Sequence, residues 1–311
     1  MIQTTIPTPR HRLPLLLRKH AIATVSFVAA SFAAHGAFAE LLVYEPFDYP
    51  VGAEIHGQSG GIGFGNNEWE DNQEGSSAEM DHIADGSLSV ANPLPLLTTG
   101  NSLSQNSISV NGSTDIRSFT IIPGIDGTTT WMSFLMRFEG TLSEDTVAHF
   151  GVRPNSSGPA PFFGVFNNAA NEIVFGIGSN SAGTVFSDIS FTPGQTYLLV
   201  ASITWNTAVG ASELVNFYVN PTLQALPPAS PDVFRDDLNI ATAGGTNRLS
   251  SLELASGGDG VEWRFDELRI GNTWSDVTPV VPESSTTAMA VGCLLLAVGL
   301  KRAFSHGRRR A

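Results

Sequence analysis

Apolar and polar residues alternate with period two along several stretches of the chain. In WMSFLMRF, Met132, Phe134, Met136 and Phe138 share one face, and Ser133 and Arg137 lie on the other. In TYLLVASITW, Tyr197, Leu199, Ala201, Ile203 and Trp205 oppose Thr196, Ser202 and Thr204. In ELVNFYVN, Val215, Phe217 and Val219 oppose Asn216 and Asn220. This is the pattern of strands with one buried face. Turn-forming clusters separate the runs: PGIDGTT, RPNSSGPAP, GSNSAG and FTPGQ. No stretch between residues 40 and 279 sustains a helical period. The pattern predicts an all-β domain, a two-sheet antiparallel jelly-roll sandwich.

One run departs from simple alternation. In GVEWRFDELRIGNTW, Val261, Trp263 and Phe265 fall on one face, whereas Leu268 and Ile270 would fall on the other in a regular strand. A bulge near Asp266 and Glu267 would return both sets to the core, since one extra residue reverses the facing. A strand buried on both faces is the other reading.

Both ends differ from this body. Residues 1–39 carry Arg10, Arg12, Arg18 and Lys19, then an apolar run of small residues ending in Ala37-Phe38-Ala39. That order predicts a signal peptide cleaved after Ala39, so that the mature chain starts outside the cytoplasm. Residues 280–311 hold an apolar run, Ala288 to Leu300, and then Lys301, Arg302, Arg308, Arg309 and Arg310. Thirteen helical residues rise only about 20 Å, against a hydrocarbon core of about 30 Å. A single transmembrane helix over about 286–304 therefore needs its flanking residues drawn in, with the arginines on the cytoplasmic side.

Charge sharpens the division. Residues 1–39 and 301–311 hold nine basic residues and no acids, leaving seven arginines against 29 acids in residues 40–300, a formal charge of −22. Such a surface repels nucleic acid and anionic lipid. The single cysteine, Cys293, lies in the terminal apolar run, so the domain has no internal disulfide and no thiol nucleophile.

These segments carry a family resemblance. LLVYEPFDYPVGAEIHGQSGGIGF, WMSFLMRFEG and FDELRIGNTWSDVTP together resemble the concanavalin A-like, laminin-G-like jelly rolls of exported Gram-negative proteins. The tail VPESSTTAMAVGCLLLAVGLKRAFSHGRRRA is similar to a PEP-CTERM sorting signal. Val281, Pro282 and Glu283 match its motif over 281–284, with Ser284 in place of the second proline, and Arg308, Arg309 and Arg310 form its basic tail. The resemblance implies an exosortase-type membrane protease as a partner, after signal peptidase. It implies inner-membrane anchoring before processing, and then the cell surface or extracellular matrix. Extracellular polysaccharide is the expected ligand class.

Candidate chemistry is sparse. The densest polar stretch, EWEDNQEGSSAEMDHIAD, offers Glu70, Asp71 and Asp81 as calcium ligands, although no EF-hand spacing is present. Trp69, in the same stretch, is either a sugar-stacking residue or a core anchor. His56, His82 and His149 stand apart in sequence and form no zinc motif. No E-x-D-x-x-E strand occurs, and alternation puts Asp266 and Glu267 on opposite faces. The chain is therefore expected not to be an enzyme but an exported, non-catalytic surface or matrix protein that holds glycan. A polysaccharide-degrading enzyme, hydrolase or lyase, is the alternative. Converging carboxylates or a cluster of His, Tyr and Arg would discriminate the two.

Overall fold

The period-two segments form strands in the facing that the alternation predicts. The computed structural model describes residues 41–280, except 72–80, 91–94, 108–112, 143–145, 155–160, 181, 209, 241–246 and 258–260. Ala37 and Ala39, expected at a signal-peptide cleavage site, and Val281, Pro282, Glu283, Arg308, Arg309 and Arg310, expected in a sorting signal, lie outside the described residues. Among the described residues no helix is long and apolar enough to cross a membrane.

The strands, in chain order, are β1 (Leu41–Glu45), β2 (Glu70–Asp71), β3 (His82–Ala84), β4 (Ser102–Ser107), β5 (Ser113–Pro123), β6 (Thr129–Glu139), β7 (Val147–Arg153) and β8 (Pro161–Asn167). They continue with β9 (Ile173–Ser179), β10 (Val185–Ser190), β11 (Thr196–Thr204), β12 (Glu213–Val219), β13 (Val233–Leu238), β14 (Arg248–Gly257) and β15 (Val261–Gly271). One short helix follows, α1 (Trp274–Val277), closed by a capping box between Thr273 and Asp276.

All pairings are antiparallel, in two sheets. Sheet A runs β13-β12-β11-β6-β15-β4-β3, with β1 also on β15, and sheet B runs β10-β9-β8-β7-β14-β5-β2. The core lies between them. Met132, Phe134, Met136, Phe138, Tyr197, Leu199, Ile203, Val215 and Phe217 from sheet A meet Phe150, Val152, Phe163, Val165, Phe175, Leu252 and Leu254 from sheet B. The two inner faces thus remove each other's apolar side from water.

The irregular run resolves as the bulge. The β15 register shifts between Asp266 and Arg269, Glu267 adopts φ 54°, and Phe265, Leu268 and Ile270 all reach the core. The bulge also separates two partners, because Val261–Phe265 pair with β4 and Leu268–Gly271 pair with β1. Asp266 and Glu267 do not take opposite faces, as plain alternation predicts. The extra residue turns both outward: Asp266 accepts from the Leu88 amide, and Glu267 accepts from the Thr99 amide and the Tyr44 hydroxyl.

The outer face of sheet A carries a second apolar cluster. Leu135, Leu198, Val200 and Tyr218 point away from the main core, and Leu88, Leu96, Leu223, Trp274 and Val277 cover them. Trp274 meets Trp131 edge-on at 5.4 Å and Tyr218 at 5.8 Å. The Ser133 hydroxyl donates to the Val277 carbonyl at 2.6 Å, tying α1 down. The centre of this face is therefore covered, while Leu214 on β12 and Phe234 on β13 stay exposed.

Candidate functional site

The outer face of sheet B has a different composition. On β7 the sequence HFGVR turns Phe150 and Val152 into the core, which leaves His149, Gly151 and Arg153 facing outward. On β14, Leu252 and Leu254 point inward and Glu253 outward. Gly151 pairs directly with Glu253, so His149 and Arg153 flank the carboxylate diagonally. Because position 151 has no side chain, both neighbours can lean onto Glu253. His149 Nε2 lies 3.4 Å from Glu253 Oε1, and Arg153 Nη2 pairs with Oε2.

Exposure grades the three groups. The side chains are 4% exposed for Glu253, 17% for His149 and 25% for Arg153. Burial pushes the Glu253 carboxyl up. The His149 hydrogen bond and the His149 and Arg153 charges outweigh it, so its pKa falls below the ordinary 4.5. Glu253 is thus held as a carboxylate that orients an imidazole and a guanidinium. His149 Nδ1 and Arg153 Nε are buried with no hydrogen-bond partner among the described residues.

Aromatic rings adjoin this constellation. The Phe162 ring lies 4.6 Å from the His149 ring, and Phe166 lies 5.9 Å away and nearly parallel, at 17°. A Cβ at Gly151 would stand 2.7 Å from Phe162 Cδ1, so the ring lies over bare backbone there. Cross-strand pairing sets the rows. One row reads His149, Gly164, Gly176, Phe186, and Phe186 is 39% exposed. At Gly164 a side chain would run into the Ala148 carbonyl, so these strands approach each other closely. The neighbouring row reads Glu70, Ile116, Glu253, Gly151, Phe162, Gly178. Glu70 and Glu253 therefore share a face two strands apart, roughly 10 Å between backbones.

The residues singled out in the sequence fare differently. Trp69 is not a sugar platform. It is 0% exposed, its ring stacks on Phe47 at 5.9 Å, and its indole N–H donates to Glu45 Oε2 at 3.1 Å. It belongs to a buried ion-pair nest that pins the segment after β1 to sheet B. There Glu45 pairs with Arg117, Tyr49 Oη donates to Glu45 Oε2 at 2.8 Å, and the Arg117 guanidinium lies 3.8 Å over Phe64. Burial drives the Glu45 carboxyl up, against the opposing pull of the Arg117 charge.

The calcium expectation finds no matching arrangement in the described part of the acidic stretch. Asp81 uses one carboxylate oxygen on the Asn106 amide, at 3.1 Å, and the other on the Ser113 hydroxyl. Glu70 and Asp71 form β2, with Glu70 exposed on the outer face of sheet B, away from Asp81. Among the described residues no group of three or more metal-capable side chains converges. Residues 72–80 lie outside the described residues.

His149 was the residue that linear reading set aside. Its partner Glu253 is some hundred positions away, and only the β7–β14 register joins them. The available signal was local: H-x-G-x-R at period two, opposite the apolar Phe150 and Val152, marks an outward polar face on a buried strand.

No family model matches the chain, and no curated protein sequence matches it. Among solved structures it resembles alginate lyase Aly36B, at 12% identity over 76% of this chain and 98% of that one, TM-score 0.47. It also resembles the globular domain of T. cruzi calreticulin, at 11% over 84% and 99%, TM-score 0.45. A third likeness is to a β-1,3-glucanase from Mycobacterium marinum, at 12% over 75% and 100%, TM-score 0.43. At these TM-scores none of the likenesses places the chain in a family.

The expectation that the chain is not an enzyme is corrected. The solved structures it resembles include several polysaccharide lyases and a glucanase. That expectation rested on finding neither converging carboxylates nor a cluster of His, Tyr and Arg; the structure brings His149 and Arg153 together on one carboxylate, Glu253, with no tyrosine among the three.

Proposed function

We propose that the chain is an exported protein that binds and processes polysaccharide on the outer face of sheet B, with His149 as its proton-transferring group. One observation carries this reading: an imidazole held by a buried carboxylate, beside a guanidinium and between two phenylalanine rings. Aromatic faces suit the apolar faces of sugar rings. An oriented imidazole beside them suits general acid–base chemistry. The named activities of the resembled lyases and glucanase point to the same substrate class.

The test is product release from a panel of polysaccharides by the purified chain. His149→Ala should lower the rate by about 10²- to 10⁴-fold while the melting temperature holds. A wild-type rate that survives in this variant would remove His149 from the chemistry.

We further propose that export and sorting follow from the two ends. Residues 1–39 act as a signal peptide, and Val281, Pro282 and Glu283 with the 301–311 basic tail act as a sorting signal for an exosortase-type protease. What supports this is the order of motif, apolar run and arginines at the tail. Intact-mass measurement of the released chain should find it beginning at Glu40 and ending near Glu283. Released chain still carrying Arg308 to Arg310 would contradict it.

A further inference from the structure

We infer that the polymer taken by this face is neutral, and that its cleavage is hydrolytic rather than eliminative. The inference rests on the polysaccharide reading above and adds the substrate class to it. It comes from accounting for every fixed cation of the domain.

Residues 40–300 contain no lysine and seven arginines, and all seven are among the described residues. Five are already ion-paired: Arg117 with Glu45, Arg137 with Glu139, Arg153 with Glu253, Arg235 with Asp237, and Arg269 with Glu267. The other two have no carboxylate partner among the described residues and keep their charge. Arg248 donates to the Pro154 carbonyl, and Arg264 donates to the Asp85 and Gly86 carbonyls. A uronate or sulfated polymer brings one or more negative charges per repeat and would meet no unpaired arginine beside His149 and Glu253, where Arg153 is already ion-paired. It would also approach a domain of formal charge −22.

Arg153 is the one guanidinium in the site, and Glu253 already neutralises it. Freeing it for a substrate carboxylate would leave Glu253, at 4% exposure, as a buried and poorly compensated charge. A neutral sugar makes no such demand. It can stack on the partly exposed Phe166 and on Phe186, and can hydrogen-bond His149.

Chemistry then follows from substrate. Elimination needs a proton made acidic by a neighbouring carboxylate on the sugar, which a neutral polymer lacks. Cleavage must therefore use water: the anomeric carbon gains the water hydroxyl, the glycosidic C–O bond breaks, and the leaving oxygen gains the water proton. Hydrolysis of this kind commonly employs two carboxylates on one face, up to about 9.5 Å apart when water sits between them. Here Glu70, exposed two strands from Glu253 on that face, and His149 take those two places, since Glu253 stays buried and paired with Arg153.

The experiment uses the purified chain in affinity electrophoresis and cleavage assays. The neutral probes are β-1,3-glucan, xylan and arabinan, and the acidic probes are alginate and polygalacturonate. The expected result is retention on a neutral polymer, unchanged between low and high salt, weakened about tenfold by Phe166→Ala. New reducing ends should appear without unsaturated sugar, and Glu70→Gln should reduce their rate by at least tenfold. Salt-sensitive binding to an acidic polymer, or unsaturated product, lost in His149→Ala, would overturn the neutral assignment and leave the site standing. Neutral-polymer binding indifferent to both Phe166→Ala and His149→Ala would instead overturn the site. If no polymer binds, the polysaccharide reading falls, and this inference falls with it.

Discussion

The two outer faces of the sandwich begin from similar strands and are completed in opposite ways. On sheet A, Leu135, Leu198, Val200 and Tyr218 make the outward face apolar, and Leu88, Leu96 and α1 close over it. On sheet B, Glu253, His149 and Arg153 face outward among glycines and phenylalanines. One face spends its side chains on packing and gains stability. The other keeps a paired carboxylate, an oriented imidazole and aromatic rings, which serve a ligand better than they serve the core. The same division separates the polar nests. Glu45–Arg117 and Glu267–Arg269 are sealed and hold chain segments together, whereas His149 and Arg153 keep part of their surface in reach.

The largest expected separation between the faces is in stability. Trp274→Ala on the sheet A side removes the cover's main ring and should cost about 3–5 kcal/mol in chemical denaturation. Activity per folded molecule should be unchanged. If the loss stays under 1 kcal/mol by this rough standard, the covered-face description fails.

Arg117→Met should have an effect of the same order. It strands the Glu45 carboxylate, which is buried with Trp69 and Tyr49 about it, and breaking such a pair costs about 3–5 kcal/mol. The double change Arg117→Met with Glu45→Gln should recover part of that loss. A double variant no better than the single one would mean the arginine acts by packing on Phe64 rather than by charge.

Gly164→Ala tests the close strand approach beneath the site. The new methyl meets the Ala148 carbonyl, so β7 and β8 must part, at a cost of about 1–3 kcal/mol. The same movement should displace His149 and lower activity. A variant as stable and as active as wild type would show that the strands yield freely.

The smallest expected effect is in pH dependence. The folded pKa of Glu253 lies below its ordinary 4.5, so the stability it contributes is fully present above that value and is lost as pH falls through the folded pKa. Glu253→Gln should flatten that part of the profile between about pH 4.5 and the acid limit. An unchanged acid limb in the variant would assign the stability to other carboxylates.

How much of this was legible from the residues depends on which face is asked about. Inner faces were readable, because every second residue of Met132 to Phe138, Tyr197 to Trp205 and Val215 to Val219 is apolar and one buried face suffices to fix register. The bulge in β15 was readable as one of two options, and the register decided for it. The sheet A cover was not. Leu135, Leu198, Val200 and Tyr218 interrupt the polar positions, and what lies over them comes from Leu88, Leu96, Leu223, Trp274 and Val277, distant in sequence. Trp69 could be read either way, since a tryptophan in an acidic stretch gives no sign of whether a buried carboxylate awaits its N–H. The candidate site was least visible, because its meaning lies in pairing. Glu253 looks like one acid among many until Gly151 is set opposite it, with His149 and Arg153 on either side.

The central claim is that sheet B's outer face receives the sugar while sheet A's outer face only supports the fold. A matched pair of variants measures it most directly: Phe166→Ala on sheet B and Tyr218→Ala on sheet A, each assayed for polysaccharide retention and melting temperature. The account predicts that Phe166→Ala loses retention and keeps its melting temperature within a few degrees, whereas Tyr218→Ala keeps retention and melts markedly lower. Retention lost in Tyr218→Ala but kept in Phe166→Ala would contradict it.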